Sequence, residues 1–65
     1  MAGSLNEGYL IEMIPMGNAV KVCAVDPATG IEVTCVGAQS ATQKELSDLA
    51  VRKLEYVLAK KRSGE

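Results

Sequence analysis

Apolar positions along the chain follow two periods. Tyr9-Leu10-Ile11-Glu12-Met13-Ile14 is ended by Pro15 and the Gly17-Asn18 pair. Ala19-Val20-Lys21-Val22-Cys23-Ala24-Val25 and Ile31-Glu32-Val33-Thr34-Cys35-Val36 follow. These runs are short, the last two are β-branched, and turn residues bound them, so they read as strands. Between the second and third lies Asp26-Pro27-Ala28-Thr29-Gly30. Asp caps such a turn through its side chain, Pro27 pre-sets φ, and Gly30 accepts a left-handed conformation. Past Gly37 the period lengthens. Leu46, Leu49, Ala50, Leu54, Val57 and Leu58 recur at helical spacing up to Lys61. Ser40-Ala41-Thr42-Gln43 and Thr42-Gln43-Lys44-Glu45 both fit a capping box at the helix start, and Ser63-Gly64 is a stop signal.

The pattern predicts an α+β fold: a three-stranded antiparallel meander followed by one C-terminal helix, β-β-β-α. Residues 1–7 have no period and read as a mobile N-terminal lead. Residues 8–61 form a single domain, and residues 62–65 a frayed tail. The two turns also predict register. A two-residue turn at Gly17-Asn18 sets Met13 opposite Val22 and Ile11 opposite Ala24. A loop from Pro27 to Gly30 sets Ala24 opposite Val33 and Val22 opposite Cys35. Both place Tyr9, Ile11, Met13, Val20, Val22, Ala24, Ile31, Val33 and Cys35 on one face. The other face takes Glu12, Lys21, Glu32 and Thr34, and with them Leu10, Ile14, Cys23, Val25 and Val36. A slip at either turn would scramble this sorting.

One helix covers one face of such a sheet, so the second face is left with apolar side chains. The helix has its own surplus: with Val51 and Tyr56 its apolar positions spread over roughly 200°, about twice an ordinary stripe. Contiguous apolar patches of this kind mark interfaces. The composition sharpens the point. The chain has 65 residues and is 48% hydrophobic, but has no Phe or Trp and only two tyrosines. A chain this short hides only about 60% of the surface its unfolded form exposes, and it lacks the large side chains that dominate cores. A homo-oligomer, most simply a dimer, is therefore expected. Leu10, Ile14, Leu49, Tyr56 and Val57 are the candidate interface residues, with contact through the helix face or through a sheet edge.

Charge and chemistry narrow the function classes. The formal charge is -1, which gives no net field for nucleic acid or anionic membrane. Arg52, Lys53, Lys60, Lys61 and Arg62 do gather toward the C-terminus and form the candidate polyanion-binding set, although a cationic last turn also complements the helix dipole. Histidine is absent, which removes the commonest general base and metal ligand. Glu12, Lys21 and Glu32 share a sheet face and read as cross-strand ion pairs rather than an acid/base set. Cys23 and Cys35 lack C-x-x-C spacing, and the register puts them on opposite faces, so neither a zinc knuckle nor an internal disulfide is expected. Cys23, near Lys21, is the candidate for a reactive thiol. Gly37 leads toward the helix start without a P-loop's Gly-Lys-Ser/Thr. No secretory signal and no apolar run of membrane length are present, so a cytoplasmic setting is the default. No catalytic residue, metal or cofactor is expected.

The β-β-β-α string resembles part of a double-stranded-RNA-binding domain, but the first helix, the basic cluster and the stacking aromatics of RNA readers are missing. A closer likeness runs through Gly17-Asn18-Ala19-Val20-Lys21-Val22 and the stretch from Ala24-Val25-Asp26-Pro27-Ala28-Thr29-Gly30 to Ile31-Glu32-Val33. It continues through Gly37, Ser40-Ala41 and Leu49-Ala50-Val51-Arg52-Lys53-Leu54. These residues resemble a family of very short bacterial proteins known only as a domain of unknown function, over roughly residues 8 to 60. The resemblance implies a small stand-alone bacterial cytoplasmic protein and carries no activity, cofactor or site residue. The expected role is that of an interaction or structural protein, with a larger protein partner as a further expectation. Weak nucleic-acid or polyanion binding through the basic positions is the alternative.

Overall fold

The structure, a computed structural model, describes residues 2–62, with side chains from Leu5 onward. Four strands precede one helix: β1 (Ala2–Asn6), β2 (Tyr9–Met16), β3 (Ala19–Val25), β4 (Glu32–Ala38) and α1 (Gln43–Arg62). They form one antiparallel sheet in the order β1-β2-β3-β4, covered on one face by α1. The class is the expected α+β, but the meander has four strands, not three. The additional strand comes from residues 2–6, which the sequence pattern assigns to a lead without structure. Residue 1 and residues 63–65, the rest of the predicted lead and most of the predicted tail, lie outside the described residues, and Arg62 is helical.

The strand was illegible because its turn is atypical. β1 and β2 close on Asn6 and Tyr9, which leaves Glu7 and Gly8 as the two central residues. Both have positive φ, 54° and 86°. That is the type I′ pattern, whose usual sequence signal is Asn-Gly or Asp-Gly. Asn6 also ties the strand down at long range. Its Nδ2 donates to Ser47 Oγ at 2.9 Å and to Asp48 Oδ1 at 3.0 Å, both on the first turns of α1.

The predicted register is the observed one: Ile11↔Ala24, Met13↔Val22, Val22↔Cys35 and Ala24↔Val33. Gly17 at φ 61° takes the first central position of the β2–β3 turn, as in type II′. Pro15 belongs to β2 rather than ending it. A two-residue hairpin closed by Met16 and Ala19 directs alternate residues toward β3, and Pro15 is out of that phase. It also lies two residues beyond the Ala2↔Met13 pairing with β1, so its missing N–H removes no described ladder bond. In the β3–β4 loop, Asp26 Oδ1 accepts the Ala28 N–H, Oδ2 accepts the Thr29 hydroxyl, and the Asp26 carbonyl accepts the Gly30 N–H.

Of the two possible capping boxes, the second forms. Glu45 N–H donates to Thr42 Oγ1 at 3.1 Å, and Thr42 N–H donates to Glu45 Oε1 at 2.9 Å. The helix then buries Leu46, Ala50, Val51, Leu54 and Leu58 against Ile11, Val22, Ala24 and Val33 of the sheet. Tyr9, Met13, Val20, Ile31, Cys35, Ala41 and Val57 pack around this cluster. No aromatic ring is fully buried in it, and its largest fully buried side chains are Ile11, Leu54 and Val22.

Candidate functional site

With α1 on one side, the opposite face of the sheet lies open. Alternation along the strands and the observed pairing arrange that face as a grid. One row across it is Leu5, Leu10, Val25 and Glu32; the next is Gly3, Glu12, Cys23 and Thr34. Below them run Ile14, Lys21 and Val36, and then Met16, Ala19 and Ala38. Among the described residues, four of the six large apolar side chains that are strongly exposed belong to this grid: Leu5 at 68%, Leu10 at 49%, Met16 at 53% and Val36 at 62%. The other two, Leu49 and Tyr56, lie on the outward side of α1. A single exposed leucine is ordinary, whereas four large apolar residues exposed on one sheet face are not.

The predicted interface residues therefore divide. Leu10 and Ile14 share the open face, Ile14 half-buried near its centre. Leu49 and Tyr56 form a separate strip on the helix, where Lys60 Nζ stands 5.2 Å from the Tyr56 ring centre. Val57 is half-buried and packs against the core. Sequence reasoning missed Leu5 and Met16, because one lay in the unassigned lead and the other beyond Pro15.

The three charges in or at the margin of the open face are Glu12, Lys21 and Glu32. Glu12 and Lys21 are half-buried and occupy diagonal grid positions, while Glu32 is exposed at a corner. Among the described residues the one ion pair is Lys44–Asp48, at 2.6 Å on the helix, so the expected Glu12–Lys21 pairing is not formed within the chain. Asp48 is held below the ordinary carboxylate range by the hydrogen bond from Lys44, reinforced by that from Asn6. Cys23 lies on the open face with its Sγ 3.7 Å from Thr34 Oγ1, whereas Cys35 is on the helix-covered face, where burial pushes its thiol up. The cysteines thus lie on opposite faces, as the register required.

The candidate polyanion set is not gathered into one surface. Arg52 and Lys61 are nine positions apart, about half a turn in phase, and so point to opposite sides of α1. Arg52 lies beside Asp48 and Glu55, Lys60 is over Tyr56, and Lys61 and Arg62 border a cleft of about 410 Å³ beside Tyr9, Asp26 and Leu58. Lys53 Nζ donates to the Thr34 carbonyl at 2.7 Å. The Asp26–Ile31 and Asn18–Gln39 backbone bonds fix the phase of β4, so Glu32, Thr34 and Val36 direct their backbone groups away from β3, and Lys53 meets one of them. No three His, Cys, Asp or Glu side chains among the described residues gather as a metal-binding set. No helix among the described residues is long and apolar enough to cross a membrane.

Fold and surface together define a two-layer α+β domain, one helix on a four-stranded antiparallel meander, with one sheet face uncovered. The chain belongs to a family described as a domain of unknown function, DUF6898, whose model matches residues 6–61. Searches of curated proteins and of solved structures gave no match.

Proposed function

We propose that this protein is a small non-enzymatic interaction module that acts as a homodimer, with the open sheet face as its interface. The observation that carries the reading is that Leu5, Leu10, Met16 and Val36 are all exposed on one sheet face, around a centre made by Glu12, Ile14, Lys21 and Cys23. Area favours a second copy as the occupant. Three strands with seven paired residues each and the five-residue β1, spaced about 4.8 Å apart and rising about 3.3 Å per residue, give a footprint of roughly 400 Å². With side-chain relief, two such faces in contact reach the lower end of specific interfaces, about 600 Å² per partner. A like face is also flat, equally large and equally apolar, as sheet-on-sheet packing requires. The core gives a reason for the association: nine buried residues, two of them alanine and none aromatic, leave a lone monomer marginal.

Sedimentation of the wild-type chain and of Leu10→Lys, Val36→Lys and Tyr56→Ser tests this. The wild type and Tyr56→Ser are expected to sediment as dimers in the micromolar range. The two lysine variants should sediment as folded monomers with unchanged circular dichroism. A monomeric wild type overturns the reading. Loss of the dimer in Tyr56→Ser alone moves the interface to the helix.

A further inference from the structure

We infer, resting on that reading, that the dimer is organised by an exchanged ion pair, with Glu12 of each copy paired to Lys21 of the other. The centre of the open face is a quartet: Glu12 and Cys23 in one row, Ile14 and Lys21 in the next. Glu12 and Lys21 hold opposite corners. Both are half-buried by apolar neighbours, and neither pairs with a charge among the described residues. A charge partly removed from water and left without a partner carries a desolvation cost that an incoming opposite charge offsets.

Two-fold symmetry supplies that charge from a second copy. Packing two copies of one face against each other requires an axis lying between the sheets and parallel to them. Suppose the axis runs along the strands through the centre of the quartet. The second copy's Glu12 then lands over the Cys23 corner, one residue pair along β3 from Lys21. If it runs across the strands, that Glu12 lands over the Ile14 corner, one strand away from Lys21. Only the axis across the strands favours opposite charges: each Glu12 then lies about 4.8 Å sideways from the other copy's Lys21 and about 6.6 Å along the strand from the other Glu12, whereas the axis along the strands exchanges these offsets and sets like charges nearer. The contact is thus self-complementary in charge for the axis across the strands, which is the geometry the pair selects. Glu32, exposed at the outer corner, stays in water. The same axis also sets Leu10 over Met16 and Val25 over Ala19, so apolar positions meet apolar positions.

The test is a mixing experiment on the full chain. E12K and K21E each place like charges beside one another at both symmetric contacts, and each is expected to dimerise at least about tenfold more weakly than the wild type. Mixed in equal amounts, the two restore opposite charges at both contacts. Native mass spectrometry is then expected to show dimers containing one copy of each. If the wild type is dimeric and either single variant dimerises as well as it does, or the mixture stays monomeric, the exchanged pair is overturned while self-association stands. If the wild type is monomeric, the reading beneath it fails instead. Should a charge-reversed chain fail to fold, E12Q/K21Q replaces it. Wild-type dimerisation is expected to weaken with salt and that of the neutral pair to be nearly salt-independent. A wild-type dimer indifferent to salt overturns the proposal.

Discussion

Glu7 is the one non-glycine residue with positive φ among the described residues, at 54°. In that region Cβ crowds the following carbonyl at a cost of roughly 1–2 kcal/mol for most side chains, and less for Asn, whose side chain bonds locally. Glu7→Asn turns the β1–β2 connection into the preferred Asn-Gly type I′ turn. It is expected to raise unfolding stability by about 0.5–1 kcal/mol, read from denaturant midpoints at constant slope; an unchanged or lower midpoint would refute the strain. The same residue explains what the pattern concealed. Ala2, Gly3, Ser4 and Asn6 give β1 no apolar alternation, and Glu at the turn hides the hairpin. At the other extreme, Asp26, Pro27 and Gly30 name their own loop, and the structure uses Asp26 as the capping side chain and Gly30 at positive φ as expected.

At the level of elements, the register of β2, β3 and β4 was legible because two independent turns constrained the same apolar face, and period-two alternation punishes any disagreement. The helix was legible from its spacing, with its start decided only by which box closed on itself. What the pattern lacked was the tie between β1 and α1, since Asn6 finds Ser47 and Asp48 across more than forty residues. Asp48, at one end of that tie, is sensitive to acid, chiefly through the hydrogen bond from Lys44 and then through that from Asn6. Asp48 titrates lower in the folded chain than in the unfolded one, so its contribution is complete above the ordinary carboxylate value of about 4 and is lost as pH falls through the lower folded value. Asp48→Asn is therefore expected to flatten the acid limb of the stability profile relative to wild type, in thermal melts between about pH 5 and pH 2. Parallel acid limbs in the two proteins would show that the carboxylate contributes nothing.

For the whole molecule, the open face was foreseeable in kind but not in extent. Leu10, Ile14 and Val36 were visible as misplaced apolar residues, while Leu5 and Met16 joined them only once β1 and the end of β2 were in place. The two cysteines report on this face without any engineering. Cys23 is on it and Cys35 is on the covered side, so a thiol reagent should modify Cys23 more slowly as protein concentration rises, while the Cys35 rate stays constant. A Cys23 rate independent of concentration would speak against burial of the face between copies. A protein that displays bare sheet also risks recruiting strand after strand into a fibre. Edge strands usually blunt that hazard with charge, and here Lys53 supplies it by reaching from the helix to the Thr34 carbonyl. A strand arriving at β4 would have to displace a bound ammonium group to use the middle one of the three outward-facing carbonyls of Glu32, Thr34 and Val36. A contact that looks like idle decoration of the helix thus places a charge at the middle of an otherwise open strand edge.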